Sequence, residues 1–210
     1  MKAYGIRISN TAKGFLKGAA DNWKLLVLAS LFIAGMVFGA AAAKTSGSEL
    51  IQKLTLTFIN YTKLRITQGM FANFCNSFIS VIVYLIAVFI SGLCAVGLPF
   101  IGAVPLFRGL GLGLMCGYLY RAYELTGIGY CLLTIYPGAV LSVAALIYAC
   151  NEGAIMSVDA FSSISGKKER TAESTIKLYC TRFAVLFAVT ILSAAVDALF
   201  TKAFSGFFTF

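Results

Sequence analysis

Three charged residues inside or beside apolar stretches are the candidates for chemistry in this chain: Arg108, Glu152 and Asp197. A charge at the centre of a bilayer costs about 2.5–3.5 kcal/mol on insertion scales, so it must be paired, lie near an interface or line a polar cavity. Arg108 and Asp197 could form a structural ion pair that fixes helix packing, or they could mark an ion or proton pathway. We favour the ion pair, because transporters usually carry more intramembrane ionisable groups.

Catalytic chemistry lacks its usual residues. The chain has no histidine, which excludes Ser-His-Asp and Cys-His arrangements and the HExxH metalloprotease motif. The spacing of Gly109, Gly111 and Gly113 is not that of a GxGxxG dinucleotide motif. The six cysteines form no CxxC pair, so neither a zinc site nor a disulfide framework is expected. The sequence therefore predicts a protein that is not an enzyme and that binds no metal and no cofactor.

The elements that must position these charges are membrane spans. Only 12% of the 210 residues are charged and 60% are hydrophobic, whereas soluble domains carry about 25% charged residues. Residues 66–107 contain no charged side chain, and one helix needs about 20 apolar residues to cross the hydrocarbon core. We therefore predict an all-α, polytopic transmembrane bundle that forms a single integral membrane domain over residues 1–210.

About five spans are predicted, with a turn at Gly97 and Pro99 between the second and the third. Pro137 is expected to kink the fourth span, where neighbouring helices can satisfy the freed backbone group. Apolar residues recur at spacings of three or four in the segment 44–77, which predicts an outer amphipathic helix on the membrane surface. The predicted spans are 25–43, 78–97, 101–120 (or 105–123 if Pro105 starts it), 128–150 and 183–204.

The distribution of lysine and arginine predicts the orientation. Residues 1–24 and 151–182 each carry five, and Arg108 near the predicted turn adds one, against six on the other side. The positive-inside rule then places the amino terminus inside and the carboxyl terminus outside the cytoplasmic membrane. Residues 1–24 become a basic cytoplasmic segment and 151–182 a cytoplasmic loop, which we interpret as a connector rather than a docking surface for an ATPase. The net charge of +9 does not make nucleic acid an expected partner of this chain, because no compact basic face is visible.

Small residues recur at the spacing that allows membrane helices to approach closely. Gly35 and Gly39 form a GxxxG motif in the first span, and Gly109, Gly113 and Gly117 continue the pattern in the third. Lipid does not drive helices together, so close backbone contact through small residues matters. Packing within the bundle is the favoured interpretation. The alternative is a face that binds another membrane protein or a second copy of the chain.

Motifs follow one another along most of the chain: Trp23, Phe32-x-x-Gly35-x-x-Phe38-Gly39, Phe71-Ala72-Asn73-Phe74, Gly92-x4-Gly97-Leu98-Pro99, Leu106-Phe107-Arg108-Gly109-x3-Gly113-x3-Gly117 and Pro137. Their order resembles the stage II sporulation protein M family of bacterial membrane proteins. The resemblance implies a membrane protein of endospore formation that anchors cell-wall hydrolases, namely stage II sporulation proteins D and P, and so supports peptidoglycan remodelling during engulfment. A permease-like subunit of a transport system is the alternative.

Overall fold

The computed structural model describes residues 23–45, 55–57, 60, 69–164 and 172–204. Within these ranges the chain is helical and contains no strand, so the all-α prediction is confirmed. Helices suit an apolar environment because each satisfies its backbone hydrogen bonds internally. The long helices are α1 (Trp23–Thr45), α2 (Met70–Leu93), α3 (Leu98–Tyr130), α4 (Tyr136–Ile164) and α5 (Ala172–Phe204), with a π-helical segment at Cys131–Ile135.

Four helical stretches of the described chain are long and apolar enough to cross a membrane. They are Trp23–Thr45, Met70–Leu93, Leu98–Ser163 and Ile176–Phe204. The third has 66 residues and would be about 100 Å long if straight, about three times the thickness of the hydrocarbon core. It must therefore fold back on itself.

The reversal occurs at Glu124, whose backbone angles (φ 50°, ψ −127°) are not helical. Cys116 packs against the buried cluster that contains Cys131, with the two thiols close together, although the two residues would lie about 22 Å apart in a straight helix. Tyr118, Leu119, Tyr130 and Cys131 form a small buried cluster inside this bend. The third stretch thus supplies two of the five predicted passes.

Several helix boundaries differ from the predicted spans. The second span was expected to begin at residue 78, but α2 begins at Met70. The polar residues Asn73 and Ser77 are buried inside the bundle, so they do not stop the helix. Pro105 lies inside α3 rather than at its start, and α5 begins eleven residues before the predicted 183.

The turn between α2 and α3 lies where the sequence places it. Residues 94–97 connect the helices, and Pro99 stands in the first turn of α3, where a missing backbone N–H costs nothing. A Cβ atom at Gly97 would overlap the carbonyl oxygen of Ser91, so only glycine fits. The hydroxyl of Ser157 on α4 donates a hydrogen bond to the Cys94 carbonyl (2.9 Å) and ties the turn to the bundle.

The distortion expected at Pro137 lies just before it. The ring of a proline clashes with the carbonyl four residues earlier and removes one hydrogen bond. The π-helical segment Cys131–Ile135 directly precedes this region, and the wider turn of a π-helix accommodates such a misfit. The irregularity is therefore spread over one turn.

The two ends of the bundle carry different connections. At one end, here the turn end, lie the start of α1, residues 94–97, the end of α4 and the start of α5. At the opposite end, here the connector end, lie the end of α1, the start of α2, Glu124 and the end of α5. Arg121 fixes the connector end by donating hydrogen bonds to the carbonyls of Ala43 (3.3 Å) and Lys44 (3.0 Å) at the end of α1.

The segment 151–182, expected to be a partly helical connector, contains helix at both ends. Helix α4 continues to Ile164 and α5 begins at Ala172. A helix need not end at the membrane surface, because water solvates its charged side chains there. Arg182 and Glu152 form an ion pair across the two helices. Residues 1–22, 165–171 and most of the predicted amphipathic segment (46–54, 58–59 and 61–68) lie outside the described residues.

Candidate functional site

A cavity of about 490 Å³ lies among helices α2, α3, α4 and α5. It is referred to here as the polar cavity, because two charged and several uncharged polar side chains reach it. Thr57, from the connection between α1 and α2, also lines it and places it toward the connector end. The polar lining residues are Thr57, Asn76, Ser77, Ser80, Tyr84, Arg108, Tyr118, Ser142, Ser193 and Asp197.

Arg108 forms part of one wall of the polar cavity. It lies ten residues after Leu98, about 15 Å along the axis of α3. Its Nη1 donates a hydrogen bond to Ser80 Oγ (3.3 Å), and its guanidinium carbon lies 5.6 Å from the centre of the Tyr84 ring, a cation–π distance. Arg108 therefore lies within the bundle rather than at the turn, and the count of basic residues becomes ten against six.

Asp197 lines the polar cavity from α5 and is only 9% exposed. Its carboxyl Oδ2 accepts a hydrogen bond from the hydroxyl of Ser77 on α2. A Cβ atom at Gly138 would lie 2.5 Å from the Cβ of Asp197 and 2.8 Å from its Oδ1. The bare backbone of α4 at Gly138 thus makes room for the carboxyl group.

Both predicted intramembrane charges contact the same face of α2. Arg108 contacts Ser80 and Asp197 contacts Ser77, and three residues of helix correspond to a rise of about 4.5 Å. The structure thus brings the two charges to one cavity, about one helical turn apart along α2. Direct pairing of Arg108 with Asp197 stays a prediction.

The hydroxyl groups of this cavity were not identified as site residues from the sequence. Asn73, Ser77, Ser80 and Tyr84 recur at spacings of three or four along α2, which places them on one face of a helix. That polar stripe in an apolar helix is the signal that could have found them. On the far wall, Ser193 donates to the Gly138 carbonyl (2.8 Å) and so links α5 to α4.

The polar cavity is closed toward the turn end by an apolar cluster. Each of the four cavity helices continues past its polar residues into this cluster, for example from Tyr84 to Leu85 on α2 and from Ser142 to Leu146 on α4. Asn76 and Ser80 on α2 and Gly111 on α3 are exposed, so the cavity has an opening between these two helices. The buried members of the cluster are Leu28, Leu85, Val88, Ile101, Leu146, Ala149, Cys150, Tyr179 and Phe183.

Comparison with known protein families identifies the family to which the chain belongs. The family model described as stage II sporulation protein M matches residues 28–202. The chain belongs to the stage II sporulation protein M family. With its long apolar helices, this family member is a sporulation-related, multi-pass membrane protein. No match was found among curated proteins or among solved structures.

In this stage II sporulation protein M family member, the predicted glycine faces lie between α1 and α3. A Cβ atom at Gly35 or Gly39 would clash with the carbonyl oxygens of Leu106 or Leu110 on α3. The reciprocal clashes would involve α1: Gly109 with the Phe32 carbonyl, Gly113 with the Met36 carbonyl and Gly117 with the Ala43 side chain. The five glycines are therefore occupied by packing inside the chain.

Within the part of the chain that the structure describes, the remaining candidate residues from the sequence do not join the polar cavity. Within the described residues, no group of three or more His, Cys, Asp or Glu side chains could hold a metal ion. All six cysteines are free thiols. Glu152, the third charge considered from the sequence, pairs with Arg182 at the turn end and lies away from the polar cavity.

Proposed function

We propose that this chain is a non-enzymatic membrane scaffold that anchors a peptidoglycan-remodelling complex during endospore formation, at the engulfment stage. The family match over residues 28–202 carries the proposal. A bundle whose first and third helices meet backbone to backbone suits a structural platform, because close contact through small residues fixes these two helices against each other.

The partners that fit this role are cell-wall hydrolases, represented by stage II sporulation proteins D and P. The ten-against-six distribution of basic residues favours a cytoplasmic amino terminus and an external carboxyl terminus. That orientation puts the connector end, and with it the segment 44–77, on the side of the peptidoglycan. Since the glycine faces are occupied internally, this segment and exposed faces such as that of Val37 and Phe38 on α1 are the surfaces for partners or for a second copy.

Recovery of partners from sporulating cells tests the proposal. Crosslinking followed by purification of the tagged full chain should recover wall hydrolases. A variant in which residues 46–68 are replaced by a Gly/Ser linker of equal length should lose them at normal protein level. A matched variant with exposed Lys202→Gln should retain them. Recovery of no hydrolase by the unmodified chain, together with normal engulfment in a deletion strain, would contradict the scaffold role.

A permease-like subunit is the second candidate, because the polar cavity holds Arg108 and Asp197. Against it, the cluster around Leu85 and Leu146 closes the cavity toward the turn end. Asp197→Asn separates the two roles. Loss of solute uptake at normal protein level would favour transport, whereas loss of protein level alone would favour a packing role.

A further inference from the structure

We infer that the polar cavity binds the headgroup of an aminophospholipid, a lipid whose phosphate and primary ammonium are joined by a short spacer. This inference concerns the cavity and stands independently of the scaffold role. The class of ligand follows from where the cavity opens, from the order of its charges and from its lining.

The cavity has an opening between α2 and α3, on the side of the bundle that faces lipid. Asn76 and Ser80 on α2 and Gly111 on α3 are exposed and line the cavity. Helices α2 and α3 share the tight turn at residues 94–97 and leave this gap farther along. The apolar cluster that begins at Leu85 closes the inner end. A molecule that enters between α2 and α3 therefore comes from the bilayer and ends with its head in the cavity.

The two charges are arranged for a zwitterion. The guanidinium group of Arg108 offers several donors in a fixed plane, which suits a phosphate. The carboxylate of Asp197 suits a cation. Their contacts with Ser80 and Ser77 place the two charges beside successive positions on one face of α2, since three residues of helix rise about 4.5 Å. A ligand whose phosphate and ammonium are joined by a short spacer can therefore contact both.

The lining favours a primary ammonium over a quaternary one. A primary ammonium can donate hydrogen bonds to the Asp197 carboxylate and to the hydroxyl oxygens of Ser77 and Ser193, which a trimethylammonium group cannot. Quaternary ammonium groups are recognised by cages of aromatic rings. The aromatic lining residues are Tyr84 and Tyr118, and the Tyr84 ring already faces Arg108.

The size of the cavity fits a headgroup with the first part of its lipid. Small-molecule sites commonly measure about 300–1,000 Å³, and the polar cavity measures about 490 Å³. Its apolar lining includes Leu112, Leu114 and Met115 on α3. These side chains can contact the glycerol and the upper acyl carbons, while the acyl tails stay in the bilayer.

The test is native mass spectrometry of the purified full chain in detergent, titrated with phosphatidylethanolamine, phosphatidylcholine and phosphatidylglycerol of identical acyl chains. We expect phosphatidylethanolamine to bind at least about tenfold more tightly than the other two, because the phosphatidylcholine headgroup cannot donate a hydrogen bond to Asp197 and the phosphatidylglycerol headgroup brings no cation to it. Equal binding of the three lipids would overturn the inference. Competition by free phosphoethanolamine as strong as that by the lipid would also overturn it, because the site would then take a soluble ligand.

Variants locate the site. Arg108→Gln and Asp197→Asn should each weaken phosphatidylethanolamine binding about tenfold. Lys202→Gln and Glu124→Gln, which change the same charges outside the cavity, should leave it unchanged. If the cavity variants fail to fold, Gly111→Leu decides. A Cβ at Gly111 meets nothing within 4 Å, so a leucine there should fill the cavity mouth and abolish binding, whereas Gly102→Leu, outside the cavity, should not. Retained binding in folded Gly111→Leu would overturn the site.

Discussion

The carboxyl group of Asp197 on α5 lies against the bare backbone of Gly138 on α4, one residue after Pro137. A Cβ atom at position 138 would come within 2.5 Å of the Asp197 Cβ. Ser193, one turn before Asp197, donates to the Gly138 carbonyl (2.8 Å). The contact between α4 and α5 at the polar cavity thus depends on a missing side chain.

Gly138→Ala should destabilise the protein. The added methyl group would force Asp197 away from Ser77, and overpacking of this kind costs about 1–3 kcal/mol. Thermal unfolding of the purified protein in detergent measures the change. Gly111→Ala is the matched control, since its Cβ meets nothing within 4 Å, and it should be neutral or stabilising by up to about 1 kcal/mol through helix propensity. Equal unfolding temperatures for Gly138→Ala and Gly111→Ala would contradict the predicted contact.

Gly113→Ala should separate α1 from α3. A Cβ atom there would overlap the backbone of Met36, and backbone atoms, unlike the tip of a side chain, cannot turn away. We expect a loss of at least about 1–3 kcal/mol and a lower protein level in membranes. Gly102→Ala on the same helix serves as the control, because its Cβ would meet only the tip of Leu31 at 4.0 Å. A Gly113→Ala protein as stable as Gly102→Ala would show that the two helices do not pack in this way.

The elements with strong local signals could be predicted from the sequence. The apolar part of helix α1 lies between Lys24 and Lys44, because charges mark the ends of an apolar run. The turn at Gly97 could be located because a glycine and a proline interrupt a stretch too long for one span. In each case the residues that decide the structure are neighbours in the chain.

The polar cavity could not be predicted in the same way, because its contacts join distant residues. Ser77 and Asp197 are separated by 120 positions, and the burial of Ser77 depends on which face of α2 meets α5. The same limit explains the predicted start of α2 at residue 78. In the sequence, polar residues beside an apolar run indicate the end of a membrane span. Only the packing of the bundle shows that Asn73 and Ser77 are buried within the helix.

Oxidation of membranes should join Cys116 to Cys131 within one chain. Their thiols lie close together across the bend at Glu124, so mild oxidation with copper phenanthroline should give an intramolecular disulfide. Mass spectrometry of peptides after digestion identifies the link. Cys116→Ser should abolish it, and Cys75→Ser should not. Absence of the link in the folded protein, with both thiols alkylated separately, would contradict the reversal of the chain between α3 and α4.

Glu124→Gly should stabilise the protein relative to Glu124→Ala. The φ of 50° and ψ of −127° at Glu124 are close to those of the first central residue of a type II′ turn, a position that favours glycine. A side chain in such a backbone region costs about 1–3 kcal/mol. Both substitutions remove the same exposed carboxylate, so the difference between their unfolding free energies isolates the backbone effect. Glycine also has the greater entropy in the unfolded chain, which reduces its advantage. We therefore expect a net difference of about 1 kcal/mol in favour of Glu124→Gly. If Glu124→Ala were as stable as Glu124→Gly or more so, the chain would reverse without the positive φ, and the bend between α3 and α4 would have a different geometry.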